Sequence, residues 1–218
     1  MITTAKSPRV ILVHGFNVRD GGAGSIGKLS PFFERAGFEV VVFNYGWRGL
    51  LGVRFGNKGV AKKLTSLVRM GDVVVGHSNG ACVAHLAATL FAAPFGPCVY
   101  INPALDADAL LAPQVPALDV WYSPDDGPVA FAKFLPWHPW GDMGARGYQG
   151  NYDPRIHNHN KSDNLPVESN EHSDTFAEPA LSYFAPQIVA TTQLRLIECE
   201  DPATAPHIKK HFDKLHHK

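Results

Sequence analysis

Ser78 lies between two glycines in Gly76-His77-Ser78-Asn79-Gly80, a G-x-S-x-G motif at the junction of an apolar run and a helical pattern. A serine hydroxyl acts as an acyl-transfer nucleophile when it is lifted clear of the backbone within reach of a base. A sharp strand-to-helix turn does the lifting. Glycines two positions away on either side remove the side chains that would collide in that turn. The five-residue pattern also arises by chance, so its context decides. Here Asp72-Val73-Val74-Val75 precedes it as a buried strand and residues 79–91 follow as a helix. The alternative is a plain glycine-rich strand–helix turn.

Two other groupings could do chemistry and read more weakly. Gly22-Ala23-Gly24-Ser25-Ile26-Gly27-Lys28 matches the G-x-x-x-x-G-K of a phosphate-binding loop. However, Leu29 stands where a Ser or Thr should hold Mg²⁺, and the loop does not follow its strand directly. A flexible loop entering a helix is the plainer reading. His157-Asn158-His159, with Asp153 and Asp163 nearby, offers imidazoles and carboxylates in no established metal-ligand spacing. No metal is expected there. His138 reads as packed between Trp137 and Trp140, and His77 and His85 as satisfying local hydrogen bonds.

The elements that must position Ser78 are legible from periodicity. Residues 10–13 are continuously apolar, as in a strand buried on both faces. Residues 25–36 read as a helix stopped by Gly37. Residues 39–43 are a second strand, 60–70 carry a helical stripe, and 98–101 and 118–122 complete five strands. Strands separated by helices imply βαβ crossovers and a mainly parallel sheet with helices on both faces. From residue 136 to about 171 the pattern dissolves into a long irregular loop rich in aromatics. Residues 174–217 read as helical segments broken near Pro186 and between Pro202 and Pro206, ending in an amphipathic stretch with Ile208, Phe212 and Leu215 on one face. No internal repeat is visible.

With its serine elbow in this frame, the chain resembles the α/β-hydrolase superfamily over most of residues 8–185, as a single domain that lacks the opening antiparallel hairpin. His14-Gly15-Phe16 after the first strand is similar to the family's oxyanion loop, which implies that the backbone N–H groups of Phe16 and Asn79 hold the oxyanion. Such donors are worth roughly 10²–10³ in rate each. Asn102-Pro103-Ala104-Leu105 resembles the family's Pro-Ala-Leu. After the fifth strand the family places a carboxylate, often as G-x-x-D-x-x-V; Ser123-x-x-Asp126-x-x-Val129 matches with serine for glycine, and Asp125 fits one register worse. The implied base is His172, in Asn170-Glu171-His172-Ser173-Asp174. Ser78, Asp126 and His172 then follow the family's chain order.

Ligands in open α/β sheets bind beyond the carboxyl ends of the strands. Two loops should emerge there, 44–51 with Trp47 and 136–160 with Trp137 and Trp140. Their content suggests a substrate with an apolar or aromatic portion; otherwise these aromatics only tack the loops to the body. Over 218 residues, 20 Lys and Arg balance 20 Asp and Glu, which argues against nucleic acid or an anionic membrane as partner. Residues 73–105 carry no Asp, Glu, Lys or Arg. Proline and glycine interrupt that stretch, and its longest uninterrupted piece is shorter than the roughly 20 residues a bilayer requires. Cys82, Cys98 and Cys199 are too few for a disulfide framework. Reduced thiols and the lack of a secretory signal imply a cytoplasmic setting. The expectation is a cofactor-independent serine hydrolase acting on a carboxylic ester, thioester or lactone of a small molecule. An acyltransferase with the same triad and a non-catalytic binding module are the alternatives.

Overall fold

The computed structural model describes residues 7–126, 140–163 and 172–200. Six strands form one sheet in the order β2-β1-β3-β4-β5-β6, and every neighbouring pair is parallel. The strands are β1 (Arg9–Val13), β2 (Glu39–Phe43), β3 (Val73–His77), β4 (Cys98–Ile101), β5 (Leu118–Tyr122) and β6 (Ile156–Asn160). Strands β1, β3 and β4 are buried along their whole length, whereas β2, at the edge of the sheet, is only partly buried although its Val40-Val41-Val42-Phe43 run is continuously apolar. No antiparallel pair occurs among the described residues, as expected for a sheet without the opening hairpin.

Helices cover both faces. Helix α2 (Leu50–Leu67) and helix α3 (Asn79–Phe91) pack Val60, Leu64, Val83 and Ala87 against Ile11, Val74 and Tyr100. On the other face, α1 (Ser30–Arg35) and α4 (Ala180–Glu200) bring Phe33, Phe184 and Ile188 onto Val10, Leu12 and Val99. Cys82 and Cys98 are free and buried, and Cys199 is free and exposed. No helix among the described residues is long and apolar enough to cross a membrane.

Four elements differ from the periodicity reading. Helix α2 begins at Leu50, ten residues before the visible stripe. Gly52, Gly56 and Gly59 lower its intrinsic helix propensity, and packing of Val53 and Asn57 overrides them. Leu50 and Leu51 are therefore helix, not loop. Helix α4 runs through Pro186 unbroken. A proline there costs about 3 kcal/mol, which is offset by burial of Leu181, Phe184, Ala185 and Ile188. Within the long loop, Ile156–Asn160 is the sixth strand and Met143–Arg146 a helical turn. A polar edge strand, Ile-His-Asn-His-Asn, shows no apolar alternation to detect. The amphipathic stretch around Ile208, Phe212 and Leu215 lies outside the described residues.

What draws β6 in is Asp119 of β5, fully buried. Its carboxylate accepts Arg195 Nε at 2.9 Å and Nη2 at 3.0 Å from α4, and His159 Nε2 at 2.6 Å from β6. Burial alone would push this carboxyl up; hydrogen bonds from His159 and Arg195 more than offset it and hold it below the usual range. Its contribution to stability is thus present above the ordinary carboxylate pKa and lost as the pH falls through the lower folded value. Arg195→Met removes the cation from a buried carboxylate and leaves it His159 as partner, and is expected to cost about 3–5 kcal/mol at neutral pH. Urea unfolding reads this directly, and a loss below about 1 kcal/mol would show that Asp119 does not depend on its cation.

Candidate active site

Ser78 stands between β3 and α3 with φ 54° and ψ −120°. This is a strained left-handed turn, and its backbone N–H is tied to the Ile101 carbonyl of β4 at 3.0 Å. The flanking glycines are steric necessities. A Cβ on Gly80 would sit 2.2 Å from the Val13 carbonyl oxygen, and one on Gly76 would sit 2.8 Å from the Ala81 nitrogen. The first turn of α3 can press against the ends of β1 and β3 only without those atoms. Among the described residues the Ser78 hydroxyl makes no hydrogen bond.

His172 and Asp126, 46 residues apart, form a pair: His172 Nδ1 lies 3.0 and 2.9 Å from the two Asp126 oxygens. A carboxylate accepts, so Nδ1 carries the proton and Nε2 is left with its lone pair. Asp126 is fully buried. Asn102, in the left-handed region at φ 45°, donates Nδ2 to Asp126 Oδ2 at 2.7 Å. Asp125 is exposed in the same turn, its N–H donating to Ser123 Oγ at 3.3 Å. Its carboxylate has no part in the pair. His77, adjacent to Ser78, donates Nε2–H to the His172 carbonyl at 3.1 Å, with the two rings 4.9 Å apart. Burial, reinforced by His172, holds His77 well below the usual imidazole range and so neutral. It holds the His172 backbone beside the elbow.

The loop carrying Phe16 is equally organised. Tyr45 Oη donates to the carbonyls of His14 at 2.9 Å and Gly15 at 2.8 Å. Its ring stacks on His14 at 3.9 Å. Burial pushes the Tyr45 phenol up to about 12, which keeps it a donor. Asn57 of α2 exchanges two amide hydrogen bonds with Asn79, at 2.8 and 3.2 Å, and Trp140 Nε1 donates to Asn79 Oδ1 at 3.1 Å. The backbone N–H groups of Phe16 and Asn79 have no partner among the described residues. A Cβ on Gly15 would be 3.1 Å from Ser78 Cβ, so this loop lies directly on the elbow.

Of the three tryptophans expected to meet substrate, Trp140 packs edge-on to Phe16 at 4.9 Å. Trp47 is 53% exposed and donates to Asn17 Oδ1 at 2.7 Å. Trp137 lies outside the described residues. The phosphate-loop match is already occupied: Asp20 accepts the Gly22 and Gly24 N–H groups at 2.9 and 2.6 Å, and Lys28 Nζ donates to the Phe176 carbonyl at 2.9 Å. His159 is engaged with Asp119 and Asp153 with Arg155.

Sequence reading missed Tyr45, Asn57, Asn102 and Lys161. Only Asn102 had a local signal, an Asn at a strand end where positive φ is tolerated. Lys161 follows β6 and is fully buried. Burial pushes its ammonium down to about 8, against the opposing pull of Asp126 and Asp174.

No family model matches the chain, and no curated protein matches it. Solved structures do match. Alpha/beta hydrolase domain-containing protein 10 from mouse is similar with TM-score 0.60 at 13% identity, over 86% of this chain and 90% of that one. A pyrethroid hydrolase from Sphingobium faniae is similar with TM-score 0.54 at 12% identity, over 90% and 98%. A predicted CIB-like hydrolase from Thermoplasma acidophilum is similar with TM-score 0.52 at 15% identity, over 89% of each chain. At these identities the likeness is one of fold.

Proposed function

We propose that this chain, which has the α/β-hydrolase fold, is a serine hydrolase that cleaves carboxylic esters, thioesters or lactones through an acyl-enzyme. The observation that carries the reading is the conjunction at one sheet edge of an elbow serine at φ 54° and a His172–Asp126 pair at 2.9 Å. His172 Nε2 takes the Ser78 proton as Oγ attacks the acyl carbon, and Asp126 stabilises the imidazolium. Charge developing on the carbonyl oxygen falls to the N–H groups of Phe16 and Asn79. The alcohol or thiol leaves with the proton from His172, and water activated by the same base then releases the acid. The aromatic rings of Trp140 and Phe16 at this edge favour an apolar acyl or alcohol portion.

A fluorophosphonate probe tests the nucleophile directly. Stoichiometric labelling, located at Ser78 by peptide mass spectrometry, is the expected result. An adduct on another residue, or none on protein shown to be folded, would overturn the reading.

A further inference from the structure

The balanced net charge conceals a segregation. Residues 40–71 contain six Lys and Arg and no Asp or Glu, and helix α2 lies within them. Its inner face is spent on the core through Val53, Val60, Ala61 and Leu64. On the outer face, Lys58, Lys62 and Lys63 are exposed and form no ion pair among the described residues. The first turns of the same face expose two apolar side chains: Leu51 is 72% and Phe55 75% exposed, one helical turn apart, with the Arg54 guanidinium 5.7 Å from the Phe55 ring. Trp47, folded over Gly49 at the start of the helix, extends this patch toward Asn17, which follows Phe16. Single exposed apolar residues are ordinary, whereas a contiguous group marks an interaction surface.

Apolar residues at one end of a helix face, followed by a run of cations with no anion among them, match a membrane–water boundary, where side chains enter the acyl region and ammonium groups meet headgroup phosphates. Nucleic acid would use the lysines but leave Leu51 and Phe55 without a role. We propose that the outer face of α2, extended by Trp47, is a docking surface for an anionic lipid interface. The surface stands apart from the hydrolase reading, since vesicle binding needs no turnover and is measured on Ser78→Ala protein as well.

The test is co-sedimentation of the full chain with phosphatidylcholine vesicles, with and without phosphatidylglycerol, at low and physiological salt. Binding only to the anionic vesicles, weakened by salt, is expected. The triple variant Lys58→Glu/Lys62→Glu/Lys63→Glu should lower partitioning by on the order of a hundredfold, and Leu51→Ser/Phe55→Ser by more than about tenfold. Both should keep the wild-type thermal midpoint and the wild-type rate on a short, soluble ester. Equal binding to neutral vesicles, no vesicle binding, or unchanged partitioning of either variant would overturn the proposal. So would a dimer that buries Leu51 and Phe55, or retention on DNA in place of vesicles.

Discussion

Ser78→Ala is expected to lower kcat for ester hydrolysis by about 10⁶-fold, to a residue of activity supplied by binding and the oxyanion donors. The variant should fold like the parent. Ser78 is 7% exposed, and among the described residues its Oγ contributes no hydrogen bond to the fold. The elbow is held instead by the Ser78 N–H on Ile101 and by the Gly76 and Gly80 contacts, which the substitution leaves intact. Turnover and fluorophosphonate labelling should vanish together while the thermal midpoint stays put. Activity retained within about tenfold of the parent would mean that another group attacks the substrate.

Asp126→Asn should cost about 10⁴ in kcat. The carboxylate accepts both Nδ1–H of His172 and Nδ2–H of Asn102, at 2.9 and 2.7 Å. An asparagine has one acceptor oxygen to offer. Its amide group, turned toward His172, would demand a lone pair on Nδ1 and so shift the proton to Nε2, the atom that must receive the Ser78 proton. Asp125→Asn is the control, because Asp125 is exposed and outside the pair; it should stay within about twofold of the parent. A large loss at Asp125 with little at Asp126 would exchange the two assignments.

Much of this frame was legible in the chain. Periodicity recovered five of the six strands within two residues, because short runs rich in β-branched and aromatic residues mark strands both where they are buried on both faces, as in β1, β3 and β4, and at the edge, as in β2. Helix α3 and the elbow before it were legible for a local steric reason: Gly76 and Gly80 each border backbone within 3 Å of where a Cβ would stand. The resemblance of the oxyanion loop and of the His172 segment to a known family then named residues that the fold does bring to one edge. The start of α2, the passage of α4 through Pro186 and the whole of β6 were not legible. In α2 and α4, burial against distant residues overrides a poor local propensity; β6, with no residue fully buried, is held by its ladder with β5 and by the His159–Asp119 hydrogen bond.

Local sequence, then, determined which serine is lifted from the backbone and which runs form strands of the central sheet, since both depend on sterics and hydrophobicity within a few residues. Only the tertiary structure decided that Asp126 rather than Asp125 meets His172, that Asn102 and Lys161 act on that carboxylate, and that Asn57 braces Asn79. It also decided that a chain of zero net charge exposes a cationic, apolar-tipped helix beside Ser78. Hydrogen bonds such as those of Asp126 to Asn102 and His172 span 24 and 46 residues. Such pairings leave no local pattern, because they come from the packing of helices and strands against one another.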